Sequence, residues 1–302
     1  MKKHRLIVIF LLSLHQGLFS QDRPVVGTMQ GREDSLKHYA VELVNNPDAG
    51  VRFEADSMFT KMLVRALVQP YSFKYPFDSL QTISRLYAPD SSFRIFTWQV
   101  MKDENTFRRK GAIQMNTPDG SLKLFPLIDK TNVLEDLNTA VYDNENWIGA
   151  IYYKIIEKSY RGKKFYTLLG YDEHSFRSTK KRLEVLSFDD NGKPVFGGRY
   201  FMFEKYPARN AFTRFDIEYK KFANGSIKFD EEMDMIIFDH LISENNQPDK
   251  KFTYIPDGDY EGFKWKNGRW VHIDKVFTYK LEDGQAPVVR PLTESKLSVR
   301  QD

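Results

Sequence analysis

The chain has 302 residues, 45 basic against 41 acidic side chains, 15% aromatic residues and no cysteine. Without cysteine there is no disulfide framework and no thiol chemistry, so the fold must be held by packing, which a chain of this length can supply. The net charge of +4 is small and three of its bases lie in the first 20 residues, which excludes a strongly basic nucleic-acid binder.

Lys2, Lys3 and Arg5 precede an apolar run at 6–14, and Ser20 offers a small residue before a cleavage point. This pattern predicts a signal peptide over 1–20 and export to the periplasm or beyond. The apolar run is too short for a spanning helix, which needs about 20 residues. Removal of the leader leaves 42 bases against 41 acids, and no later stretch is apolar enough to span a bilayer. Residues 21–32 read as a flexible leader, and 33–302 as one α+β domain.

Within 33–69, Leu36, Ala40, Leu43 and Val44 fall on one helical face. Val51, Ala55, Met58, Met62, Leu63, Ala66 and Leu67 fall on a second, and Asn45-Asn46-Pro47 separates the two. The spacing predicts a helical hairpin ending before Pro70. From about 90 to 285 the hydrophobic period changes to two, which predicts short strands. Turn pairs punctuate them at Asp119-Gly120, Arg161-Gly162, Asn191-Gly192, Asn224-Gly225, Asn267-Gly268 and Asp283-Gly284. Links this short imply antiparallel pairing, because parallel neighbours need long crossovers. The basic clusters Arg108-Arg109-Lys110, Lys163-Lys164 and Lys180-Lys181-Arg182 have acids nearby and read as solvated strand faces. Residues 286–302 read as an irregular tail.

Asn267-Gly268 places Trp265 opposite Trp270 across a hairpin, a pairing that fixes register. Phe222 to Ile227, around Asn224-Gly225, repeats the arrangement and places Phe222 opposite Ile227. The chain also echoes itself once, as APDSSFRIF at 88–96 and TPDGSLKLF at 117–125. Two similar hairpins in one sheet account for the echo, and a β-propeller of repeated blades is the alternative. The expected architecture is therefore a helical hairpin packed on one large, curved antiparallel sheet.

The signal ending at Ser20-Gln21, the lack of cysteine and the turn-strand PDSSFRIFTW together resemble uncharacterised exported proteins of the Bacteroidota type. The resemblance covers 1–21 and 88–127, and it implies export but no activity.

No Gly-x-Ser-x-Gly elbow, His-Glu-x-x-His helix or phosphate-binding Gly-Lys loop is present. A hydrolase would need Asp172, His174 and His240 to converge, a carboxylate orienting an imidazole as general base. Asp257, Asp259 and Glu261 open like a calcium loop, but its closing position is Gly268 instead of a bidentate Glu. No metal or other cofactor is expected. Trp98, Trp147, Trp265 and Trp270, if exposed, could stack on sugar rings. The favoured reading is a non-enzymatic, exported binding or interaction protein of the cell envelope, its partner a protein or a glycan. A glycan-binding module and a carboxylate/His hydrolase are the alternatives.

Overall fold

Helices α1 (Val26–Asn45) and α2 (Ala49–Leu67) form the predicted hairpin in the computed structural model, which describes residues 26–277. The signal peptide, the Asp283-Gly284 turn and the tail at 286–302 lie outside the described residues. Asp48 caps α2, its carboxylate accepting the Val51 N–H at 2.9 Å. α1 starts at Val26, so part of the expected leader is helical, and Met29 gives that turn a buried apolar anchor. The buried face of α2 keeps the expected Ala55, Leu63, Ala66 and Leu67 but is wider at its start. Arg52, Asp56 and Phe59 are inside, whereas Val51 is exposed, as is Val44 on α1. Arg52 donates to the carbonyls of Asn46, Pro47 and Met101, and Asp56 accepts the Trp98 indole N–H at 2.8 Å. Buried polar groups such as these are tolerated because they are hydrogen-bonded, and hydrophobic spacing does not reveal them.

The strands follow in chain order. β1 (Ser84–Tyr87), β2 (Phe93–Asp103), β3 (Thr106–Met115) and β4 (Lys123–Ile128) form an antiparallel meander. Both Pro-Asp turns lie inside this sheet, one between β1 and β2 and the other between β3 and β4. The internal echo is thus a pair of similar hairpins, and blade repetition is not needed.

A second sheet contains β5 (Tyr142–Asp143), β6 (Ile151–Tyr160), β7 (Lys163–Asp172), β8 (Ser178–Phe188) and β9 (Pro194–Phe196). β10 (Phe201–Met202) belongs elsewhere, while β11 (Arg214–Lys220) returns to pair with β8 along Ser178 to Glu184. β9 takes over that edge from Leu186. Where the partner changes, Arg214 Nε meets the Glu184 carboxylate at 3.0 Å, both side chains fully buried.

The third sheet has the order β10-β15-β14-β13-β12, adding β12 (Ile227–Asp230), β13 (Met235–Ser243), β14 (Tyr254–Lys266) and β15 (Arg269–Ile273). Named strands pair antiparallel throughout, except β10 with β15.

The class is α+β, but the strands make three sheets where one was expected. Two local features divide them. Gly197 and Gly198, at φ 94° and 128°, interrupt the chain between β9 and β10, which then join different sheets. The Asn224-Gly225 turn likewise joins β11 to β12, which lie in different sheets, so it closes no hairpin. Phe222 is 88% exposed and Ile227 buried, where pairing had been expected. Gly225 serves close packing there, since a Cβ would lie 2.6 Å from the Tyr219 ring.

Three cores separate four layers. Phe96, Trp98 and Val100 of β2 pack on the helices. Phe93 and Ile95, from the other face of β2, pack with Tyr152 and Leu168 of the second sheet. Leu169 and Leu183 of that sheet face Phe238, Phe263 and Trp270 of the third. The first and second sheets are therefore buried on both faces.

Candidate functional site

Trp265 lies opposite Trp270 as the turn predicts, with ring centroids 5.2 Å apart. Asn267 and Gly268 have φ of 50° and 79°, the signature of a type I′ turn. Trp270 is fully buried and donates its indole N–H to Thr167 Oγ1 at 2.8 Å, tying the third sheet to the second. Trp98 bonds Asp56, and buried Trp147 donates to Tyr152 Oη at 2.7 Å. These three tryptophans sit in three different cores, and Trp265 alone of the four keeps partial exposure. The row of exposed rings that the glycan alternative requires is not formed, because the layers use three of the four indoles to pack.

The structure brings Asp172 near His174 but leaves His240 apart from both. Asp172 ends β7, buried, with Arg109 bonded to its Oδ1. The His174 N–H donates to the same oxygen at 2.8 Å, while the ring lies 3.9 Å from Asp172 and 3.5 Å from Glu218. Burial, with Lys180 beside it, holds the His174 pKa below its ordinary value. His240 instead places Nδ1 at 2.8 Å from Asp257 and Nε2 at 3.9 Å from Glu261. An Arg-engaged Asp172 and two imidazoles on separate carboxylates do not form one acid–base centre.

The calcium-loop likeness also fails to carry over. Asp257, Asp259 and Glu261 lie on strand β14 and face basic side chains: Asp257 meets His240, Asp259 meets Lys275 at 3.1 Å, and Glu261 meets His272 at 2.5 Å and His240 at 3.9 Å. Among the described residues no group of three or more metal-ligating side chains is placed to hold an ion. Among them, too, no helix is long and apolar enough to cross a membrane.

What the residue patterns did not reveal is a cleft of about 790 Å³ between α2 and the edge of the first sheet. It exists because β3 outruns β4. Pairing with β4 begins at Lys110 opposite Ile128, whereas pairing with β2 extends back to Thr106. The chain leaves β4 at Asp129, which bridges to Trp147, and opens a gap beside β3. Six consecutive residues, Thr106 to Gly111, line one wall. Pro126 to Lys130 face them, with Phe53 and Thr60 of α2.

The lining carries five basic residues, Lys102, Arg108, Arg109, Lys110 and Lys130, against the single acid Asp129. Lys110 is neutralised by Asp56 at 2.6 Å, and Arg109 by Asp172 and by Asp129 at 3.6 Å. Lys102, Arg108 and Lys130 form no ion pair among the described residues. Arg109 is buried and its Nε has no hydrogen-bond partner. Ile128 and Val133 add exposed apolar surface, at 43% and 71%. Asp129, the one carboxylate, is occupied by the Thr131 hydroxyl and N–H and by the Gly149 and Arg109 amides. The cleft has a volume typical of ligand sites, and its charge suits an anion with some apolar surface. Its lining holds no histidine and no free carboxylate to move a proton.

The only trace of this site in the sequence is Arg108-Arg109-Lys110, read there as a solvated face. Alternation along β3 separates the three: Arg109 is buried against Asp172 while its neighbours turn toward the helices. No protein-family model matches the chain, and comparisons with curated proteins and with solved structures find no match either.

Proposed function

We propose that the chain is an exported, non-enzymatic binding protein of the bacterial cell envelope, and that its partner docks in the cationic cleft beside β3. The basic n-region, short apolar run and Ser20 support export. The observation that carries the binding site is that Arg108 and Lys130 form no ion pair among the described residues, in a cleft whose lining holds one already occupied carboxylate. Both of these side chains are exposed, whereas Arg109 and Lys110 of the same lining are already paired with carboxylates. Electrostatic complementarity of this kind gives specificity and speeds encounter.

The test is cross-linking and affinity capture of the tagged protein from its native envelope, run beside the double variant Arg108→Glu, Lys130→Glu. A stoichiometric partner captured by the wild type and lost by the variant supports the reading. Equal capture by both, or capture of glycan alone, overturns the cleft as the site.

A further inference from the structure

We infer that the cleft takes an extended acidic segment of a partner protein, added as a strand to the open edge of β3; this rests on the binding reading above. Successive residues of a strand point to opposite faces. A cavity lined by six residues in a row, Thr106 to Gly111, therefore meets β3 along its edge, where the main-chain groups lie. Among the described residues that edge has no strand beside it before Lys110, while the opposite edge is covered by β2 as far as Thr106. The first open position is closed by a side chain, the Arg109 N–H reaching Asp129 Oδ2 at 3.3 Å. Main-chain groups of alternate residues share an edge, so the N–H and C=O of Phe107 face the cleft as well. An edge of this kind is a template for strand addition.

Charge selects the added strand. Arg108 lies across from Val100 and Lys110 across from Trp98, and both of those partners pack on the helices. Arg108 and Lys110 thus project on the helix-facing side of the edge. Lys110 is already paired with Asp56, leaving Arg108, Lys102 of the neighbouring β2 and, on the facing wall, Lys130. A strand with Glu or Asp at alternate positions sets its carboxylates toward these cations while its main chain completes the β3 ladder. A small anion would meet the charge and leave the edge unused.

The test measures fluorescence anisotropy with a labelled Glu-Val-Glu-Thr-Glu-Val peptide, two N-methylated forms of it, and citrate. Each methylated form blocks the amides of one strand edge only. The plain peptide should bind, more weakly as salt rises. One methylated form should bind comparably, and the other about tenfold or more weaker. Arg108→Glu with Lys130→Glu should lower peptide affinity by about tenfold or more with the thermal midpoint unchanged. If both methylated forms bind as well as the plain peptide, strand addition is wrong and the charged cleft stands. Binding of citrate but no peptide also overturns the inference and keeps the binding reading. If neither probe binds, both fail.

Discussion

Arg94 is 1% exposed and has no carboxylate partner among the described residues. Its guanidinium donates to Gln114 Oε1, the Tyr75 and Ser72 carbonyls and Tyr87 Oη at 2.5–2.9 Å. The rings of Phe73, Phe77, Tyr87 and Phe96 lie within 5.6 Å of the cation. Burial pulls its pKa down to about 10, partly offset by Tyr87, so it stays charged at neutral pH. Neutral oxygens and ring faces stand in for a counter-ion. Lysine cannot span those oxygens at once. Arg94→Lys should therefore cost at least about 2 kcal/mol by urea unfolding, and a loss below about 0.5 kcal/mol would show that the cage is not needed.

Asp90 marks the acid limit at the same scale. Burial alone would raise its pKa, but bonds from Lys164, Ser92 and Tyr166 outweigh it and hold it at about 2. A folded pKa below the unfolded value, about 3.9 for Asp, adds stability that is present above pH 4 and lost as pH falls toward 2. Asp90→Asn should remove that part of the acid dependence and leave the rest of the stability curve parallel. An unchanged acid limb would sink the assignment.

At the scale of elements, local chemistry was read correctly wherever a turn governs its own hairpin. Gly162 and Gly268 both sit at positive φ, 75° and 79°. A Cβ at Gly162 meets open space, whereas one at Gly268 would lie 2.5 Å from the Tyr160 ring. Gly162→Ala should cost about 1–2 kcal/mol from left-handed backbone strain, and Gly268→Ala more, in thermal unfolding. Equal losses would mean that the ring simply moves aside. Asp48→Ala should cost about 1 kcal/mol through the lost cap of α2. The α2 face was read incompletely because Arg52 and Asp56 are polar, and partners far along the chain, Met101 for Arg52 and Trp98 and Lys110 for Asp56, help make their burial tolerable.

Across the whole molecule, two sheets with both faces buried cannot keep their cores if a neighbouring layer leaves. Trp98, Trp147 and Trp270 each sit in a different core and so report on each in turn. Variants retaining one of them, the others changed to Phe, should unfold at coincident urea midpoints. Separate midpoints would show that the layers melt independently. The cleft is also a property at this scale, since β4 ends short of β3 only because Asp129 turns away to meet Trp147.

The α+β class, the helical pair, most strands and the Trp265–Trp270 hairpin follow from the sequence alone, because period and turn chemistry act between residues a few positions apart. The number of sheets, the burial of Arg52, Arg94 and Asp172, the dispersal of the tryptophans and the cleft were decided by the tertiary structure. Each depends on a partner far along the chain, as Arg109 depends on Asp172 and Trp270 on Thr167. A buried charge or ring is tolerated only where such a partner arrives, and spacing within one segment carries no record of it.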